Sequence, residues 1–134
     1  MPATVTPKRA LAALRKHALA YPEAVEEFPW GDRVIKVRGK IFVFLGAGED
    51  GGFGISAKLP ETHELALTLK YVTPTAYGLG KAGWVTARLP KGRKIPIDLF
   101  EDWIDESYRA IAPKSLVREV DPAAGIRRRR LPAD

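Results

Sequence analysis

Lys36, Arg38 and Lys40 stand at every second position inside the run FPWGDRVIKVRGKIFVF, residues 28–44. Side chains alternate across a strand, so cations at that spacing would share one face while Ile35 and Val37 point to the other. A row of ammonium and guanidinium groups suits one kind of chemistry above others, electrostatic recognition of a polyanion, in which each neutralised phosphate releases counterions. Lys58, Lys81, Arg88, Lys91, Arg93 and Lys94 fall in or beside later strands and turns and extend the candidate set. The competing role for these residues is a solvated sheet face on which lysines discourage edge-to-edge pairing. Trp30, Tyr77 and Trp84 stand beside glycine or proline. They could stack on bases or line a pocket, or they could fill core corners.

Other chemistries find less support. There is no cysteine, which excludes disulfides, thiolate catalysis and cysteine-ligated zinc. His17 and His63 lack partners at ligand spacing, and the acidic run Asp98, Glu101, Asp102, Asp105 and Glu106 reads as a helix start with a wet face. No metal site and no cofactor are expected. Ser56, Ser107 and Ser115 sit in no nucleophile-elbow context, so no catalytic residue is assigned and the chain reads as a non-enzyme. Two segments fit G-x-G-x-x-G, Gly46 to Gly51 and Gly78 to Gly83. Both lead into strands, whereas a dinucleotide site needs the loop to open a helix, so both read as turns. The second, carrying Lys81, could still offer backbone amides to a phosphate.

These groups need a scaffold. A chain of 134 residues with net charge +6 suits a single domain with one core. The charge is segregated: residues 1–20 hold four cations and no acid, residues 21–32 four acids and no cation, and the strand-rich middle is basic. No apolar run approaches the ~18 residues of a membrane helix, and Pro7-Lys8-Arg9 opens no signal-peptide pattern. A bacterial, cytoplasmic protein is the expectation.

Thr6-Pro7 predicts a helix over about 7–20, closed by Pro22. Strands are expected near 33–38, 40–45, 52–57 and 84–89, with an Arg38-Gly39 turn between the first two. A short helix is expected over 60–70 and an irregular connection over 71–82. Asp98 and Glu101 suggest a capping-box start to a helix over 98–112, ended by Pro113. Arg127 to Arg130 reads as a mobile tail. Phe42 and Phe44 alternate with Ile41 and Val43, so that strand is apolar on both faces and part of its second face should be covered. Helices and antiparallel strands in this order imply an α+β sandwich with the helices on one face.

The block Glu27-Phe28-Pro29-Trp30-Gly31, the pieces Ile35-Lys36-Val37 and Gly39-Lys40-Ile41-Phe42, and Pro74-Thr75-Ala76-Tyr77 running on through Gly80-Lys81 to Gly83-Trp84-Val85 resemble the MmcQ/YjbR family of small bacterial proteins. Ile104 and Ser107-Tyr108 fit that family's C-terminal helix. The resemblance covers roughly residues 8–113, so the expected organisation is one domain over 1–113 with an extension over 114–134. It implies a frataxin/CyaY-like two-layer α+β sandwich, an antiparallel sheet with helices packed on one face. It also implies a DNA-binding protein that grips phosphates with two hairpin wings. The expected partner is nucleic acid, duplex DNA in the first place, with a monomer as the working state and no membrane association. The alternative is a small-ligand or protein-partner module built on a pocket near Trp30, Tyr77 and Trp84.

Overall fold

The computed structural model describes residues 6–28, 33–47 and 51–127. Helix α1 (Pro7–Leu19) starts where the sequence places it. The Thr6 hydroxyl accepts the Arg9 N–H at 3.2 Å, and Pro7 fills the first turn, where a missing N–H costs nothing. Four strands follow: β1 (Ala24–Glu27), β2 (Arg33–Val37), β3 (Lys40–Ala47) and β4 (Phe53–Lys58). The chain continues through α2 (His63–Ala66), β5 (Val72–Pro74), β6 (Trp84–Leu89), α3 (Ile97–Ile111) and α4 (Lys114–Arg127). The strands form one six-stranded antiparallel sheet in the order β1-β2-β3-β4-β6-β5.

Register assigns the two faces. Val43 and Leu45 of β3 pair with Ala57 and Ile55 of β4, which pair in turn with Val85 and Ala87 of β6. All six are buried in one cluster with Leu14 and Ala18 of α1 and Phe100, Ile104 and Tyr108 of α3. The helices therefore cover this face, and the chain is the two-layer α+β sandwich the sequence implies. The alternate positions, Phe44, Gly46, Gly54, Ser56, Trp84, Thr86 and Arg88, belong to the second face.

One irregularity alters the expected pattern. Ile35 pairs with Val43 but Lys36 pairs with Ile41, so Phe42 is an extra residue in β3. A bulge of this kind turns two consecutive side chains to the same side. Phe42 thus joins Val43 on the helix side, with its ring edge-on to Tyr108 at 5.1 Å and to Tyr21 at 6.2 Å. Only Phe44 of the two phenylalanines stays on the second face, edge-on to Trp84 at 5.7 Å. Ser107, fully buried on α3, braces the bulge. Its hydroxyl donates to the Phe42 carbonyl at 2.6 Å and accepts the Lys58 N–H at 2.9 Å.

Several elements depart from the sequence expectation. β1 and β5 are strands where none was expected; β1 (AVEE) has little strand propensity of its own and exists by pairing with β2. The helix expected over 60–70 shrinks to the single turn of α2, with turns on either side. α3 begins at Ile97 with no side-chain cap, so the expected capping box does not form. Asp98 instead lies inside the first turn, where its charge still suits the helix N-terminus. A further helix, α4, follows Pro113 and runs to Arg127, the first residue of the expected tail. The Pro113 carbonyl accepts the N–H groups of Leu116 at 3.0 Å and Val117 at 3.1 Å, α4 winds on from there, and Leu116 joins the core. Arg128, Arg129 and Arg130 lie outside the described residues.

Candidate nucleic-acid interface

Arg38 and Gly39 have φ of +50° and +80°, the backbone of a type I′ turn, which matches the twist of the strands it joins. A two-residue loop pairs its flanking residues, and Val37 indeed faces Lys40 while Lys36 faces Ile41. Lys36 and Lys40 therefore lie on opposite sides of the hairpin. The expected row of Lys36, Arg38 and Lys40 on one face does not form, because the alternation of a strand does not run on through a tight turn.

Two of those three cations are also engaged. Lys36 Nζ lies 2.9 Å from Glu27 Oε1, and the Arg38 guanidinium forms a two-point pair with Glu23, at 2.5 and 2.9 Å. Hydrogen bonds from Arg38 hold the Glu23 carboxyl below its ordinary range and raise Arg38 in turn. Glu26, between them on β1, accepts from Arg15 of α1 at 2.8 Å and from Arg33 of β2. The Arg15 hydrogen bond is the main cause of a lowered Glu26 pKa, with Arg33 assisting. Glu23 and the acids of β1 thus pair with Arg38, Arg33 and Lys36 of the first hairpin, and Lys40 has no ion pair among the described residues.

The remaining candidates divide between the two ends of the sheet. Lys40 and Lys58 sit where β3 begins and β4 ends, and Lys81 is exposed on a 3₁₀ turn, Leu79–Ala82, that leads into β6. Most amides of this second glycine loop are already spent on the loop's own carbonyls. Those of Leu79, Gly80, Lys81 and Gly83 donate to the carbonyls of Ala76, Thr75, Gly78 and Gly80. Arg88, Lys91, Arg93 and Lys94 lie at the opposite end, on β6 and the turn after it, and all four are exposed.

Lys70, absent from the sequence candidates, joins this second group. The Arg88 N–H donates to the Tyr71 carbonyl at 2.9 Å, and the Arg93 guanidinium stands 6.0 Å from the centre of the Tyr71 ring. These contacts bind segment 70–71 to segment 88–94. None of the five cations forms an ion pair among the described residues. The sequence gives no signal for Lys70, because the stretch around it looks like a helix end running into an irregular connection, with no strand to place it. The Lys91 stem also packs on Gly51 of the β3–β4 connection, 3.0 Å from the point a Cβ there would occupy.

The two described aromatic candidates differ in exposure. Trp84 is 8% exposed, while Tyr77 is wholly exposed at φ +62°. Trp30 lies outside the described residues. Thr86, next on the second face of β6, links to the hydroxyls of Ser56 at 2.7 Å and Thr75 at 2.9 Å. A cavity of about 480 Å³ lies further along this face, bordered by Gly46, Gly54 and Arg88.

The YjbR family matches residues 19–110, from the end of α1 to the last turn of α3. The chain belongs to the YjbR family. The match spans the whole sheet and leaves most of α1 and all of α4 outside it. The crystal structure of Deinococcus radiodurans protein DR2400, described as a DUF419 domain, superposes with a TM-score of 0.65 at 22% identity, covering 96% of this chain and 97% of that one. At that identity the likeness speaks for the fold. No curated protein matches the sequence. Among the described residues no helix is long and apolar enough to cross a membrane, and no three acidic or histidine side chains gather in a way that could hold a metal ion.

Proposed function

We propose that this YjbR-family protein is a cytoplasmic, non-enzymatic nucleic-acid-binding protein whose expected target is DNA. It grips the phosphate backbone with the cationic end of its sheet. The observation that carries this reading is the gathering of Lys70, Arg88, Lys91, Arg93 and Lys94, drawn together by the Arg88–Tyr71 hydrogen bond and the Arg93–Tyr71 contact. Cations with no ion pair among the described residues, on two adjoining segments, can neutralise successive phosphates, whereas Lys36 and Arg38 would first have to leave Glu27 and Glu23. The interface is therefore moved from the first hairpin to the turn after β6. Phosphate contacts position a protein without reading sequence, so weak specificity goes with the reading. Ser107 gives no support to a hydrolytic alternative, since its buried hydroxyl is spent on two backbone groups.

The test is a salt titration of a fluorescent duplex by anisotropy. Five phosphate contacts predict a log–log slope of about −4.5, a loss of roughly 500-fold in affinity between about 50 and 200 mM salt. Combining Arg88→Ala, Lys91→Ala, Arg93→Ala and Lys94→Ala should flatten the slope to about −1. Charge reversal at Lys36 should change it little. Absence of binding at the lowest salt, or an unchanged slope in the combined variant, would remove the proposal.

A further inference from the structure

The cavity on the second face has an unusual floor. Gly46 of β3 pairs with Gly54 of β4, and Gly54 pairs with Arg88 of β6, so two positions without side chains lie beside one arginine in a single row across the sheet. Glycine inside a strand weakens it and marks a bulge, a bend or a place where something approaches the backbone closely. Neither pairing contains a register shift. Neither glycine has a positive φ. Among the described residues, a Cβ on Gly46 would meet nothing within 4 Å, and one on Gly54 would meet only the Ala87 carbonyl, at an ordinary 3.7 Å. The described residues therefore impose no need of glycine at either position, and close approach from outside is the reason we pursue.

The space above these glycines measures about 480 Å³, and Gly52 and Pro90 also border it. That is within the range of small-molecule sites. Arg88 is exposed and forms no ion pair among the described residues. A bare peptide floor suits a flat ring, and a free guanidinium suits an oxyanion, which it can hold through two parallel hydrogen bonds. We infer that the cavity receives an unpaired nucleotide of a single strand, its base laid on Gly46 and Gly54 and a neighbouring phosphate on Arg88. This inference rests on the nucleic-acid reading above and adds to it a distinction of strand state. A base inside a duplex is stacked on both sides and offers only its edge, whereas an unpaired base offers its face.

The test compares a single-stranded oligonucleotide with a blunt duplex of equal length, at one low salt concentration, for the wild-type protein, Gly54→Val and Gly46→Val. Valine favours strands and its Cβ meets no obstacle among the described residues, so thermal midpoints near or above wild type are expected and certify folding. The single strand should bind the wild type at least five-fold more tightly than the duplex. Each valine should cost the single strand about tenfold and change duplex binding less than twofold. Should Gly54→Val not fold, Gly54→Ala serves in its place, with a loss of threefold or more expected. Unchanged single-strand affinity in the folded variants overturns the inference and leaves the phosphate reading standing, as does an equal loss for both nucleic acids. Failure of the wild type to bind either one overturns both.

Discussion

Ser107→Ala removes one oxygen atom and is expected to be among the costlier small changes in this chain. The hydroxyl is the sole side-chain link from α3 to the backbone of both β3 and β4 among the described hydrogen bonds. Alanine adds no bulk and loses little apolar contact, so the cost is almost wholly that of two stranded polar groups, the Phe42 carbonyl and the Lys58 N–H. A buried group left without a partner costs about 1–3 kcal/mol. Phe42 is fully enclosed, but Lys58 is only half-buried and water can reach part of its surroundings, so the sum is set at about 2–4 kcal/mol. For a chain of this length that corresponds to a fall in thermal midpoint of roughly 6–16 °C. Ser56→Ala is the control. Its hydroxyl meets Thr86, which keeps Thr75 as a second partner, and a loss under about 1 kcal/mol is expected. The assay is chemical denaturation followed by tryptophan fluorescence, beside a thermal scan by circular dichroism. A Ser107→Ala midpoint within about 2 °C of wild type would refute the reasoning, because strand pairing alone would then hold the bulge.

Other expectations follow from the same contacts. Glu26 has a folded pKa below its ordinary one, so its contribution to stability is present above the ordinary carboxylate range and disappears as pH falls through the lowered value. Glu26→Gln should cost about 1–2 kcal/mol at neutral pH, a figure discounted for the exposure of Arg15, and the gap to wild type should close on acidification; a gap independent of pH would contradict this. Glu101 runs the other way. Burial, then the charges of Asp98 and Asp102, raise its pKa, so its ionised form is a penalty that is absent at low pH and grows as pH rises through the raised value. Its carboxylate also stands 3.7 Å from the His17 ring, a compensating contact that matters only while the histidine is protonated. Glu101→Gln should therefore stabilise the protein by about 0.5 kcal/mol at pH near 7 and by nothing at pH near 3, measured as midpoint shifts across a pH series. Tyr108→Phe should cost about 1 kcal/mol by leaving the Pro22 carbonyl without the phenolic donor 2.8 Å away; a neutral result would mean water replaces it.

The parts of the fold written in local chemistry were legible in the sequence, and those made by pairing were not. Thr6-Pro7 announces α1 because the cap and the proline act within one turn. Arg38-Gly39 announces the hairpin turn, and the alternating apolar residues of β2, β3, β4 and β6 announce strands. β1 carries no such signal, since Ala24–Glu27 becomes a strand only beside β2, and the same holds for the three residues of β5 beside β6. The Phe42 bulge was equally invisible, because it depends on a serine 65 residues away. At the interface the identity of the cations could be read, but not their availability. The opposition of Lys36 and Lys40 follows from a rule of hairpins, that a two-residue loop pairs the residues on either side, and reading parity straight through the turn obscured it. The Gly46–Gly54–Arg88 row joins three strands and needed the register of all of them.

Strand order decides where the positive charge of this protein can act. Residues 33–94 are strongly basic in sequence, and an even spread would make the first hairpin, with its dense cations, the natural place for a polyanion. The sheet instead sets β1 against β2, so Glu23, Glu26 and Glu27 meet Arg38, Arg33 and Lys36 across one edge. A polyanion arriving there must displace carboxylates already hydrogen-bonded, and gains little beyond what it breaks. The turn after β6 has β5 and the segment carrying Lys70 and Tyr71 for neighbours, and these bring a further cation and an aromatic ring in place of acids. The two ends differ less in how many cations they hold than in what the fold packs beside them. Replacing Glu23 and Glu27 with glutamine should therefore do what no added lysine is needed for: open a second phosphate-binding edge at the first hairpin and steepen the salt slope by about 2.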